Sequence, residues 1–281
     1  MKARFYEISG DRIKCTLCPH YCLLSDGQTG LCGARKNTGG SLSAENYGRI
    51  TSIALDPIEK KPLYRFYPHS KILSVGSFGC NMKCEFCQNY EISQFKAESE
   101  YFSPEKLVET VLKTPRNLGV AFTYNEPLIG LEYILDCIPL LKRANMKVVL
   151  VSNGMINEGP LEELLYAGTD AWNIDLKSFN SAFYKNHGGD LETVKRTVER
   201  VARAAHVEVT TLIIPGENDS EQEISALSLW LSSISKQIPL HLSRFFPRYK
   251  MTDKETTDVE KLFKLHEIAR ENLEYVYVGN I

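Results

Sequence analysis

The chain has 281 residues, with 33 Lys plus Arg against 35 Asp plus Glu and a formal net charge of −2. At 43% hydrophobic and 24% charged it has ordinary globular composition, enough for one α/β domain with a small appendage. This balance supplies no field to gather nucleic acid or an anionic membrane, and no apolar run approaches a membrane span. Residues 1–7 carry no signal-like apolar stretch, so a cytoplasmic protein is expected.

Residues 1–70 are rich in Gly, Cys and turn residues and hold no long amphipathic helix. Cys15, Cys18, Cys22 and Cys32 follow one another at C-x2-C-x3-C-x9-C spacing. Four thiolates with no open position suit a closed site, either zinc or a second, fully ligated iron–sulfur cluster. A metal would also help a segment with too few apolar residues to bury a core of its own. His20 lies inside this set and is the one histidine with a place near metal.

From residue 71 strands and helices alternate. Strands are predicted at 72–78, 120–124, 147–152, 171–176, 207–215, 240–246 and 274–278. Helix starts are written as Ser103-Pro104-Glu105, Asp219-Ser220-Glu221 and Asp258-Val259-Glu260, and Leu191, Val194, Val198 and Val201 form a stripe at helical spacing. Such alternation implies parallel strands with right-handed crossovers. Six or seven units suit an incomplete barrel better than a closed eightfold one. Cys137 sits in an apolar helical run and reads as a core residue.

After the first of these strands come Cys80, Cys84 and Cys87, at C-x3-C-x2-C spacing with Phe86 before the last. Three thiolates can hold three irons of a cubane and leave the fourth iron open, whereas electron-transfer clusters use four cysteines. Clustered cysteines without a secretory context bind metal more often than they pair as disulfides. The later strands end in polar groups. These are Tyr124-Asn125-Glu126-Pro127, Ser152-Asn153-Gly154, Asp175-Leu176-Lys177 and Arg244. Glu126 can also be read as a helix-start acid and Ser152–Asn153 as a plain turn. Asp175 and Lys177 share one strand face, so a mutual ion pair is one reading of them.

These motifs resemble the radical S-adenosylmethionine (SAM) enzymes, whose signature C-x3-C-x-aromatic-C is matched by Cys80, Cys84, Phe86 and Cys87. Over nearly the whole chain the sequence is similar to the radical SAM proteins of the AmmeMemoRadiSam system, a group related to pyruvate formate-lyase-activating enzyme. The resemblance implies a partial (β/α)6-type TIM barrel over 71–281, carrying a Cys-rich metal-binding segment at 1–70. It implies a [4Fe–4S] cluster on Cys80, Cys84 and Cys87, with SAM contacted by Phe86, Tyr124, Asn125, Glu126, Ser152, Asn153, Asp175, Lys177 and Arg244. Tyr124-Asn125 stands where the family has two glycines, and Phe246 where relatives tend to have histidine. The group continues past Asn280 into a tail with another cysteine pair, so a lost or truncated tail is expected here.

The implied reaction is reductive cleavage of SAM to methionine and a 5′-deoxyadenosyl radical, which takes hydrogen from a substrate. An external one-electron donor is implied. A partner protein's glycine is one substrate, as in glycyl-radical activation; a small molecule or a peptide is another. A zinc-bearing nucleic-acid or scaffold protein is the alternative of a different class, resting on the basic and aromatic runs 65–71 and 245–250. The acidic balance speaks against it.

Overall fold

The computed structural model describes residues 1–281. Its centre is an open eight-stranded sheet. The strands are β1 (Ser52–Pro57), β2 (Lys71–Gly76), β3 (Asn117–Phe122), β4 (Lys147–Ser152), β5 (Ala171–Asp175), β6 (His206–Ile213), β7 (Leu240–Arg244) and β8 (Val276–Gly279). Strands β2 to β8 pair in chain order and in parallel. β1 runs antiparallel along the free edge of β2. The helices are α1 (Tyr90–Ser93), α2 (Pro104–Lys113), α3 (Leu131–Arg143), α4 (Glu158–Ala167), α5 (Ser181–Asn186), α6 (Leu191–Ala202), α7 (Glu221–Ile234) and α8 (Val259–Arg270). They fill the crossovers between parallel strands, giving the α/β partial barrel that the sequence implied.

Local chemistry sets these elements. The side chains of Ser103, Asp190, Ser220 and Asp258 each accept a backbone N–H in the first turn of their helix. Such caps contribute about 1 kcal/mol each. Leu191, Val194, Val198 and Val201 are all buried, as their spacing predicts. The strand Lys-Val-Val-Leu-Val-Ser of β4 is buried on both faces, as a central parallel strand should be.

Five strands stop short of their predicted ends, three of them for one reason. Asn125 Oδ1 accepts from Ser77 N–H (2.9 Å), Asn218 Oδ1 from Ile214 N–H (2.7 Å) and Thr257 Oγ1 from Phe245 N–H (2.9 Å). Side chains thus take the donors that would have extended the ladder, and the chain turns out into the loops that build the site. The apolar continuation marks burial at the barrel mouth, not strand.

The sheet begins earlier than the expected boundary at residue 70, because β1 lies inside the N-terminal stretch. Before β1, Tyr6–Ser9, Arg12–Cys15 and Leu23–Leu24 form a three-stranded sheet, and Arg35–Thr38 pairs with Ser41–Ala44. Ile13, Leu17 and Leu42 pack into the same apolar core as Ile129, Leu131 and Ile156. The segment therefore borrows its core from the barrel flank.

A buried ion pair fixes that seam. Arg35 Nη2 lies 2.7 Å from both carboxylate oxygens of Glu132 on α3, and Arg4 N–H donates to Glu132 Oε1 (2.7 Å). Both side chains are almost completely buried. Arg35→Met leaves Glu132 an unpaired buried charge. It should cost about 3–5 kcal/mol in urea unfolding, and a loss under 1 kcal/mol would mean that the seam is held by apolar packing alone.

Candidate active site

Cys80, Cys84 and Cys87 follow β2 on a loop over the C-terminal ends of the parallel strands. They line a cavity of about 310 Å3 together with Phe86, Tyr124, Asn125, Glu126, Ser152, Asn153, Asp175 and Lys177. All but one of the residues expected around SAM therefore meet in one place. The exception is Arg244. Its Nε donates to Thr257 O (2.8 Å) and its guanidinium lies over Phe246, away from the cavity. It braces the loop after β7 and is not among the residues that line the cavity.

Burial pushes the Cys80 thiol well up, helped by the nearby Glu126 charge, and burial pushes Cys84 up to about 11. Such thiols become ligands only when a metal supplies the countercharge. A single zinc needs thiolates about 2.3 Å from one point, whereas a cubane spreads its three cysteines around a larger body. The three thiols on one cavity wall fit the cluster.

Gly79 sets the loop. Its φ is +89°, and a Cβ there would meet the Cys32 carbonyl at 2.4 Å. Cys80 N–H donates to that same carbonyl (3.1 Å), and His20 Nε2 lies 2.6 Å from Asn81 O. The two cysteine loops thus rest on each other. Gly79→Ala should lower cluster iron after reconstitution by half or more while leaving global unfolding within about 2 kcal/mol of wild type. Unchanged iron content would separate the two loops.

Glu126 is the most constrained polar group here. Its Oε1 accepts from Leu128 N–H (2.9 Å) and Ser152 Oγ (2.8 Å), and its Oε2 from Asn153 N–H (2.8 Å). Burial still raises it to about 7. Glu126 caps the short helix Pro127–Gly130, as a helix-start acid does, and also lines the cavity. Asn153 Nδ2 donates to Asn81 Oδ1 (2.9 Å) and reaches Cys80 Sγ at 3.6 Å, so it ties the end of β4 to the cysteine loop.

Tyr124 adopts φ +71°, the left-handed conformation glycine reaches freely. At Tyr124 the chain thus adopts a conformation that glycine would reach without strain, at a cost of order 1 kcal/mol. The strain is held from both ends. Tyr124 Oη donates to Asp56 Oδ2 (2.7 Å), and Tyr124 O accepts from Asn89 Nδ2 (2.8 Å). The Asn125 side chain is spent on Ser77 N–H and Gly79 O, so it braces the loop. Lys177 Nζ pairs with Asp175 Oδ2 at 2.9 Å, as the shared strand face suggested. Burial opposes the Lys177 charge, but Asp175 and Cys84 outweigh it and raise the group. Phe86 is buried against Phe183 and His187.

Cys15, Cys18, Cys22 and Cys32 line one small apolar pocket with His20 and Arg35. Burial raises Cys15, and it raises Cys18 to about 12. None of the eight cysteines pairs as a disulfide, and Cys137 is buried in α3, as expected of a core residue.

A family model described as the Radical SAM superfamily matches residues 74–227. The chain belongs to the radical SAM superfamily. An uncharacterized protein of Methanocaldococcus jannaschii is 37% identical to this radical SAM protein over its whole length and 85% of the relative. The pyruvate formate-lyase-activating enzyme of Clostridium pasteurianum is 25% identical over 70% of the chain and 89% of the relative. Among solved structures, a radical SAM methyltransferase from Sphaerobacter thermophilus superposes with a TM-score of 0.60 at 15% identity, covering 76% of this chain and 67% of that one. The family implies a [4Fe–4S] cluster and SAM, which the cavity's residues fit.

Sequence reasoning missed Lys60, Lys61, Thr210 and Ser243, which also line this radical SAM cavity. The available signal was the pair of lysines between Ile58 and Leu63. The basic and aromatic runs were misleading in part. Phe66 and Phe245 are buried, and Arg65 stacks on Tyr275 within the protein. No helix is long and apolar enough to cross a membrane.

Proposed function

We propose that the chain is a radical SAM enzyme that cleaves SAM reductively and directs the resulting radical at a substrate inside the barrel. The observation that carries this reading is the convergence of Cys80, Cys84 and Cys87 with Glu126, Ser152 and Asn153 on one cavity. Cys80, Cys84 and Cys87 would hold a [4Fe–4S] cluster, which supplies one-electron cleavage of the SAM sulfonium to methionine and a 5′-deoxyadenosyl radical. An external one-electron donor is required.

The protein's own residues do the positioning. Glu126 presents a negative charge beside the cluster loop and suits the amino group of SAM. Three donors already on its oxygens fix its direction. The Asp175–Lys177 pair offers one group of each sign to a zwitterion. Phe86, Met82 and Leu212 give apolar wall that excludes water from a reactive radical.

A finer reading, activation of a partner protein by forming a glycyl radical, is favoured by the similarity to pyruvate formate-lyase-activating enzyme. Radical modification of a small molecule or peptide is its rival. For the second cysteine set, Cys15, Cys18, Cys22 and Cys32, the proposed occupant is zinc or a second iron–sulfur cluster, and iron, sulfide and zinc analysis tells them apart. The deciding assay reduces reconstituted protein with dithionite in the presence of SAM. Methionine and 5′-deoxyadenosine should appear in equal amounts, and their absence would overturn the proposal.

A further inference from the structure

The barrel is closed at its far end by the chain between β1 and β2. Tyr64 and Arg65 N–H donate to Glu208, near the start of β6, at 3.0 and 2.7 Å. Pro62 O accepts from Asn173 Nδ2, near the start of β5 (2.8 Å). Lys61 belongs to this plug, yet it lines the same cavity as the cluster cysteines. Its ammonium therefore rises into the cavity from below, facing the mouth where SAM would sit.

The charges at this floor do not balance. Lys61 is 3% exposed, and its Nζ lies 2.9 Å from Asp56 Oδ2 and 4.5 Å from the centre of the Tyr124 ring. Lys60, whose side chain is 68% exposed at the rim of this floor, places its Nζ 3.5 Å from the other oxygen of the same carboxylate. Two ammonium groups thus share one carboxylate. Asp56 stays ionised. Burial opposes its charge, but hydrogen bonds from Lys61 and Tyr124 outweigh this and hold it at about 2. Elsewhere in the cavity Lys177 has Asp175 to itself, and three donors already hold the oxygens of Glu126. The surplus positive charge lies at the floor, while Thr210, level with Asp175, and Ser243, near the end of β7, add hydroxyls to the wall above it.

We propose that Lys61, with Lys60, binds the anionic end group, a carboxylate or a phosphate, of a small-molecule substrate whose reacting carbon then points up toward SAM. A closed floor accepts a terminus and not a chain passing through, which favours a small molecule over a glycyl loop of a protein. The inference rests on the radical reading above and names the substrate class of the same cavity. Lys61 needs no new partner to lose its own. Asp56 holds one face of the ammonium, and the remaining N–H groups are free to bond an incoming oxygen.

The test is calorimetry on the anaerobically reconstituted holoenzyme with SAM, titrated separately with inorganic phosphate and with malonate. At least one should bind saturably at one per chain, and which of them binds tells phosphate from carboxylate. Lys61→Met should weaken that binding about tenfold or more, Lys60→Met about two- to threefold, and Lys61→Arg should restore most of it. No saturable binding in the wild type, or binding equal in Lys61→Met, would overturn the site. Circular dichroism and SAM affinity check that Lys61→Met is folded; if it is not, binding unchanged in Lys60→Met overturns the site instead. The same wild-type sample is assayed for 5′-deoxyadenosine. Product without anion binding removes the floor site alone, and anion binding without product removes the radical chemistry alone.

Discussion

Cys84→Ala, reconstituted anaerobically beside the wild type, is expected to lose about four irons per chain, the content of one [4Fe–4S] cluster. Formation of 5′-deoxyadenosine should fall with it to the level of dithionite and SAM without protein. Cys84 is buried deep in the loop, and a cubane left with two protein ligands and an open iron is not retained. Global stability should change little, because Cys→Ala removes one sulfur from a site whose walls are held independently by Glu126, Asn153 and Asn81. Metal on the N-terminal cysteines should persist, since Cys84 belongs to neither its ligands nor the Cys32–Cys80 contact. Iron content and product formation both at wild-type level would remove Cys84 from the cluster and with it the reading of the whole loop.

Glu208→Ala carries the largest expected loss of stability, about 3–5 kcal/mol in urea unfolding at neutral pH. Glu208 is fully buried. It accepts from His206 Nε2 (2.9 Å), His241 Nε2 (2.7 Å) and the N–H groups of Tyr64 and Arg65. One carboxylate thus ties the plug to β6 and β7, and alanine leaves four polar partners without it. The same group sets a pH dependence. Burial would raise Glu208, but hydrogen bonds from His206 and His241 outweigh it and lower the group from the ordinary 4.5 to about 2. A depressed carboxylate stabilises the fold above its unfolded value and loses that contribution as pH falls toward its folded one. Roughly 3 kcal/mol should therefore disappear between about pH 4.5 and pH 2. Glu208→Gln should be less stable at pH 7 and flatter over this window. A wild-type stability that stays level across it would mean that the plug is held by Tyr64, Phe66 and Leu63 packing alone.

Much of the molecule was legible because its signals are local. Cap residues next to apolar stripes place helices, and runs of Val, Leu and Ile place central strands. A three-cysteine loop states its own chemistry. The identity of Glu126, Ser152 and Asn153 as site residues was also legible, because barrel strands deliver their C-terminal ends to one mouth wherever the strands themselves are found. Arg244 failed that logic. It ends a strand like the others, but Thr257 O and the Phe246 ring hold it outside the cavity. A side chain's direction after a strand end depends on the loop it meets.

The sequence by itself determined the parallel α/β order, the two cysteine sets and the radical SAM family, since each depends on residue type and short spacing. Only the tertiary structure decided four other things. These are the edge strand β1 inside the Cys-rich segment, the contact of Cys32 with Cys80, the left-handed Tyr124, and the floor of Lys60 and Lys61. Each arises between residues far apart in the chain. Asp56, Lys61 and Tyr124 meet only after β1 has paired with β2 and the plug has crossed the barrel. No period or motif records such a meeting, because its cause is the packing of elements and not the preference of any one of them.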